Sequence, residues 1–322
     1  MNWRNAALVL CFSVLCKPVT AQVIDNTLSF KNINRNSYFR FNYENDVFQA
    51  IDEYYTQGVH LEVVKLALKK NPINKLLVHP DFSTIKYGLG IEHNGYTPAS
   101  ISDDTIRYGD RPFGAALELK SFQIAIDPIN KQRFSSILTL GVLGPAAGAR
   151  EMQIAIHKWL NNITPHGWQF QLHNDIILNY EVNYEKQLLS KGKWLSIDAD
   201  AMARAGTLSD KAQVGATLML GYFDSPFSDI VTGKNNFRIY AYQHSEVAVI
   251  AYDATLQGGM FNHTSPYTIF AKDVKRVTYR NRLGIVGTYK RITMEYFQSF
   301  ITREFETGKP HAWGGIQFAC AI

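Results

Sequence analysis

Two stretches of this chain carry side chains able to do chemistry. Between Ala146 and Leu160 runs a Pro-free segment in which His157 follows Gln153 by four residues, so on a helix the two share one face a turn apart. Histidine is the side chain whose ordinary pKa suits proton transfer near neutral pH. Alone it is ambiguous, because a buried structural histidine has the same signature. The second stretch is Tyr43-Glu44-Asn45-Asp46-Val47-Phe48 followed by Asp52-Glu53-Tyr54-Tyr55-Thr56-Gln57-Gly58. Its carboxylates and amides are oxygen ligands of the kind a hard cation such as Ca²⁺ takes, although a strand end and a solvated turn have the same composition. The chain has no Gly-x-Ser-x-Gly elbow, no His-Glu-x-x-His helix and no phosphate-binding glycine loop. If it is a hydrolase, a water activated by histidine suits it better than a serine nucleophile.

These residues must be positioned by something, and the dominant pattern is alternation with period two. Val214, Ala216, Leu218, Leu220 and Tyr222 alternate with Gln213, Gly215, Thr217, Met219 and Gly221. Leu178, Tyr180, Val182 and Tyr184 alternate likewise with Asn179, Glu181, Asn183 and Glu185. Successive strand residues point to opposite faces, so these are amphipathic strands. About twelve such segments run from residues 37–45 to 312–322, with 236–255 read as one bent strand or two short ones. In the first, Asn45 falls on the apolar face with Phe39, Phe41 and Tyr43, where a polar group is costly unless it is paired or functional. The helical segment stands apart from this pattern, and its Met152, Ile156, Trp159 and Leu160 line up on one side. Such a helix belongs in a loop or at a membrane interface.

A soluble sandwich and a membrane barrel both use amphipathic strands. Many of these segments exceed the usual strand length of about 5 to 6 residues, and length matched to a bilayer favours a transmembrane antiparallel β-barrel. Export points the same way. Residues 1–21, with Arg4 ahead of an apolar run and a Val19-Thr20-Ala21 end, have the anatomy of a cleaved signal peptide, leaving 22–322 as a single barrel domain. The leader takes Cys11 and Cys16 with it, so Cys320 stands alone and no internal disulfide forms. It also lowers the formal charge of +5 by two, and no basic run exceeds two residues, so nucleic acid is a poor partner. The chain's 322 residues are 46% hydrophobic and 13% aromatic, yet its mean hydropathy is −0.15, because the rings are scattered among polar residues. A lipid-facing belt around a polar lumen has that composition. The last strand, with Ile316, Phe318, Cys320 and Ile322 on one face, ends where a closing strand should.

Several short motifs occur in a telling order. They are Glu44-Asn45-Asp46-x-Phe48, Asp52-x-Tyr54-Tyr55-Thr56-x-Gly58, Tyr96-Thr97-Pro98, Arg111-Pro112-Phe113 and Gly167-Trp168-x-x-Gln171-Leu172. Between the last two lies Gly141-x-x-Gly144-Pro145-x-x-Gly148, continuing to Gln153 and His157. Across roughly residues 40–185 this set resembles the outer-membrane lipid A deacylase family. The resemblance implies a twelve-stranded outer-membrane barrel that removes an ester-linked acyl chain from the 3′ position of lipid A with the help of Ca²⁺. His157 would be the general base, Gln153 would orient it or the substrate, and Asn45, Asp46 and Thr56 would line the site and hold the metal. Thr56 would also contact substrate. The family has a lysine after its Thr-Pro segment, and Arg107 is the nearest basic residue here. The implied partners are lipopolysaccharide and outer-membrane lipids, with the barrel acting as a monomer. The chain departs from the family pattern at Phe113-Gly114-Ala115, where a tyrosine and an Ala-Gly pair are usual, and at Asp175, which no proline follows. The rival readings are a passive outer-membrane channel and an outer-membrane phospholipase.

Overall fold

The computed structural model describes residues 28–46, 53–228 and 237–322. The expected leader at 1–21 and Val47, Phe48 and Asp52 of the acidic runs lie outside the described residues. Twelve antiparallel strands close into one barrel. The first four are β1 (Tyr38–Asn45), β2 (Tyr54–Val64), β3 (Thr84–Thr97) and β4 (Gly114–Asp127). Next come β5 (Gln132–Leu143), β6 (Asp175–Lys191), β7 (Leu195–Gly206) and β8 (Ser209–Tyr222). The last are β9 (Phe237–Asp253), β10 (Val277–Tyr289), β11 (Ile292–Ile301) and β12 (His311–Ala321). Each pairs with its sequence neighbours, and β1 meets β12 in a register running from Tyr38 opposite Ala321 to Asn45 opposite Gly314. Segment 236–255 is therefore one strand. The helical segment is α1 (Ala149–Trp159), inside the expected 146–161. No described helix is long and apolar enough to cross a membrane, and the strands do the crossing.

The barrel is inside out relative to a soluble core. Along β9, Phe237, Ile239, Ala241, Val247 and Val249 are exposed on the outer wall, while Arg238, Tyr240, Tyr242, His244 and Glu246 are buried in the lumen. The buried charges pair across strands. Arg40 meets Glu62 at 3.6 Å, Lys120 meets Glu92 at 2.6 Å, Arg280 meets Glu246 at 2.9 Å and Arg282 meets Glu295 at 2.9 Å. Ionised groups out of bulk water need such partners. The segment before β1 threads the same interior. Ser29 donates from its backbone N to Glu185 and from Oγ to Asp198, Tyr240 donates to the Phe30 carbonyl, and the Phe30 ring stacks on Tyr242 at 4.1 Å. Apolar clusters around Phe30 and around Ile33 fill that end of the lumen.

Turns 128–131, 192–194 and 290–291 are short, whereas 98–113, 144–174, 254–276 and 302–310 at the opposite end are long. Short turns face the periplasm and long loops the outside in bacterial barrels. The long loops interlock. Arg111 forms an ion pair with Glu304, donates to Thr255 Oγ1 at 2.7 Å, and lies 4.4 Å above the Tyr96 ring. Three loops are thus tied over one end of the barrel. Burial pushes the Glu304 carboxyl up to about 7, against the pull of the Arg111 guanidinium.

Candidate functional site

The site lies on the outer wall, under α1, at the extracellular ends of β2 and β3. Gly144 and Gly148 turn the chain into the helix. Their φ values are 92° and 77°, a region that side chains rarely adopt, and a Cβ on Gly144 would sit 2.7 Å from the His173 backbone. The helix then lies against the barrel with its polar stripe inward. Ala149, Gln153 and His157, four residues apart, are its buried positions, whereas Trp159 is 81% exposed. Met152 and Ile156 flank that stripe half-buried, and Trp159 and Leu160 are exposed on the outside, where an interfacial helix meets lipid.

The wall beneath is prepared by a break in strand register. Tyr55 pairs with Tyr96 and Gln57 pairs with Gly95, so Thr56 is an extra residue in β2. Below this bulge the alternation is regular: Gly58 and His60 point inward. Above it Tyr55 enters the lumen, where its hydroxyl donates to Asn94 at 3.0 Å and its ring meets Trp313. Thr56 is left on the wall, with its Oγ1 3.1 Å from Thr97 Oγ1. Gln153 Nε2 reaches down to Thr56 Oγ1 at 3.4 Å, and Gln153 Oε1 accepts from the Trp168 indole at 2.7 Å. Trp168 packs on Phe113, next in sequence but one to Arg111, so the loop cap and the site share one support. His93 contributes a further tie through its Nε2, 3.0 Å from the Ala147 carbonyl ahead of the helix.

His157 is oriented by its own loop. Its Nδ1 lies 2.7 Å from the Ile163 carbonyl, an acceptor, so Nδ1 carries the proton and the neutral ring keeps its lone pair on Nε2. A base held in one tautomer by a second hydrogen bond is the arrangement proton abstraction uses. Asn45 ends β1 on the outward face, as expected, with Nδ2 donating to the Tyr43 hydroxyl at 3.1 Å. Asp46 is buried and accepts the Glu53 backbone N–H at 2.7 Å, drawing together the two ends of the β1–β2 connection. Of the residues singled out by sequence, Gln153 and Thr56 are joined directly, and His157 shares the buried stripe of the helix. Arg107 stands apart: it forms ion pairs with Asp103 and Asp110 within its own loop. Thr97 and Trp168 were visible only as motif letters, since nothing in their spacing foretells a contact with residues 41 and 15 positions away.

A profile of the outer membrane protein LpxR family matches residues 8–322. The chain belongs to this family. Membership makes it an outer-membrane lipid A-modifying enzyme with lipopolysaccharide as its substrate class. The solved structure of LpxR from Salmonella typhimurium is similar to it in fold, at 19% identity and a TM-score of 0.73, covering 89% of this chain and 100% of that one. Weaker likenesses are to the β domain of the Bordetella autotransporter BrkA, at 7% identity and a TM-score of 0.46, and to an outer membrane channel from Pseudomonas putida F1, at 10% and 0.44. The former covers 89% of this chain and 99% of that one, the latter 94% and 100%. No curated protein matches the chain.

Among the described residues no three His, Cys, Asp or Glu side chains come together as a metal cluster. The donors that the family resemblance names, the Asn45 amide, the Asp46 carboxylate and the Thr56 hydroxyl, are all oxygens of the class a hard cation accepts. As a set of oxygen donors their chemistry fits Ca²⁺.

Proposed function

We propose that this LpxR-family barrel is an esterase that hydrolyses an ester-linked acyl chain of lipid A, at the 3′ position, with His157 as general base. The observation that carries this reading is the placement of His157 and Gln153 on the buried stripe of α1, against the outer wall at the extracellular end. A lipid anchored in the outer leaflet meets the protein there without leaving the membrane. In the reaction, His157 Nε2 takes a proton from water as the water oxygen adds to the ester carbonyl carbon. The imidazolium, steadied by the Ile163 carbonyl at Nδ1, returns that proton to the sugar oxygen as the C–O bond breaks. The products are a free fatty acid and a sugar hydroxyl. Gln153 positions the helix over Thr56, and Arg107, on an extracellular loop with its side chain 39% exposed, would meet headgroup anions only by leaving Asp103 and Asp110. Asn45 and Asp46, with Thr56, would hold Ca²⁺, which when bound polarises the ester carbonyl and offsets charge on the oxyanion.

The channel reading has the lumen against it, since the segment from Leu28 to Ser37 and the paired charges occupy the interior. Mass spectrometry of lipid A from cells expressing the protein tests the proposal. Loss of one ester-linked chain, abolished in folded His157→Ala and dependent on added Ca²⁺, is the expected result. An unchanged lipid A spectrum with folded protein overturns it.

A further inference from the structure

The connection between β2 and β3 is out of scale with its neighbours. It occupies residues 65–83, the longest connection at an end of the barrel where three others have two to four residues and the β8–β9 connection has fourteen. It does not hang into the periplasm. Instead it crosses the outside of the wall, where Asn71 donates to Ser121 Oγ at 3.3 Å, Gln123 donates to the Asn74 carbonyl at 3.1 Å, and the Tyr180 hydroxyl both donates to the Leu76 carbonyl and accepts from the Val78 N–H. Its backbone is further closed by hydrogen bonds from Leu68 to Lys65, Asn71 to Leu68, Asn74 to Asn71 and Leu77 to Asn74. These are the bonds of two short 3₁₀ helices, Leu66–Lys70 and Pro72–Leu76, and backbone at a lipid-facing surface must be satisfied in this way, by itself and by the wall.

Two features of this segment point to a ligand. The first is an apolar cavity of about 440 Å³ between it and the wall, lined by Phe39, Leu61, Leu89, Leu119 and Leu140 and bounded by Ile73. The second is charge. The connection contains Lys65, Lys69, Lys70 and Lys75 against a single acidic residue, Asp81. All four lysines are exposed, and the Asn74 amide, bonded to the Leu68 and Lys69 carbonyls at 2.8 and 3.2 Å, folds the second turn back on the first. Leu66, Leu76 and Val78 are exposed beside them, at 66%, 62% and 54%. An apolar slot next to clustered ammonium groups on the periplasmic half of a barrel is complementary to a lipid with an anionic headgroup.

We propose that the β2–β3 connection and the wall it crosses form a binding site for one anionic glycerophospholipid of the periplasmic leaflet. An acyl chain occupies the cavity beside Ile73, and the phosphate sits against Lys69, Lys70 and Lys75. The site does not rest on the hydrolytic reading: its lysines lie on the β2–β3 connection at the end opposite His157, while its cavity runs up the wall to Leu119 and Leu140, two residues below the Leu117 and Val142 that pack near the start of α1.

The test uses the full-length protein in membranes of equal phosphatidylglycerol and phosphatidylethanolamine, with the retained lipids identified by native mass spectrometry. Wild type is expected to retain phosphatidylglycerol preferentially. The Lys69→Gln, Lys70→Gln, Lys75→Gln variant should lose that preference by about fivefold per lysine removed, with lipid A turnover unchanged. Ile73→Trp, which fills the cavity, should lower retention of both phospholipids in protein that still migrates as a folded barrel. Equal retention of the two headgroups by wild type, or an undiminished preference in the triple variant, overturns the proposal. A change in lipid A chain-length preference in Ile73→Trp, with phosphatidylglycerol retention intact, also overturns it and gives the cavity to the substrate.

Discussion

Two histidines in this barrel invite comparison. His60 stands in the lumen with Nδ1 3.1 Å from Glu92 and Nε2 3.2 Å from Glu62, and Arg40 and Lys120 complete the cluster. By side-chain partners alone it is the better-oriented imidazole, since a carboxylate holds each ring nitrogen. His157 has a backbone carbonyl at Nδ1 and stands on a loop helix. Yet His60 is sealed among paired charges inside a plugged cylinder, out of reach of any lipid, whereas His157 lies where the outer leaflet touches the wall. In a membrane barrel the face on which a group stands decides more about its use than the partners it keeps.

The largest effect that separates the two is catalytic. His157→Ala should reduce lipid A deacylation about a thousandfold, the size of a lost general base, while leaving a folded barrel. His60→Ala should leave turnover per folded molecule within a few-fold of wild type, as measured by product mass spectrometry on heat-modifiable protein. If folded His60→Ala is the inactive one, the comparison is reversed. On the stability side, Glu92→Gln removes the carboxylate that Lys120 and His60 share, leaving them Glu118 at 3.7 Å and Glu62 at 3.2 Å, and breaking a buried pair costs roughly 3–5 kcal/mol. Its urea midpoint should fall well below that of wild type, with no matching fall in activity before unfolding. Gln153→Ala sharpens the contrast within the site. As a positioning residue it should cost about tenfold in kcat, the scale of a lost orienting hydrogen bond, with Gln153→Glu failing to restore the rate because it cannot donate to Thr56.

The gentlest effect belongs to the loop cap. Glu304 is raised to about 7 by burial, so between its ordinary value and 7 the folded chain keeps a proton that the unfolded chain has lost. Stability therefore decreases as pH rises through that window and levels off above it. In Glu304→Gln the slope should vanish in unfolding curves collected from pH 4.5 to 8. A slope that persists assigns it to other groups.

Much of this was legible in the residues. Period-two alternation sets out the strands because one face meets lipid and the other a polar lumen, and α1 was readable from its 3.6-residue spacing and its Gly-Pro entry. The outward direction of Asn45 followed from counting along β1. The trajectory of 65–83 was not readable. β2 stops at Val64, and Asn71, Asn74 and Leu76 beyond it are held by Ser121, Gln123 and Tyr180, which are distant in sequence. Nor could spacing reveal that Arg107 is engaged by Asp103 and Asp110. Contacts of that kind depend on where loops of many residues come to rest, which no local period encodes.

The extra residue at Thr56 has a consequence for how such a site can arise or be lost. A strand is a two-phase clock, and one supernumerary residue resets the phase for everything beyond it. Here the reset sends Tyr55 indoors and leaves a hydroxyl under the helix, with no exchange of side chains. Regular alternation through this point would swap the two, giving the lipid a phenol and the interior a threonine, whereas deleting Thr56 would keep Tyr55 indoors and take the hydroxyl away. The working address of β2 is thus held by the parity of a residue count, and a one-codon insertion or deletion moves it further than most substitutions can.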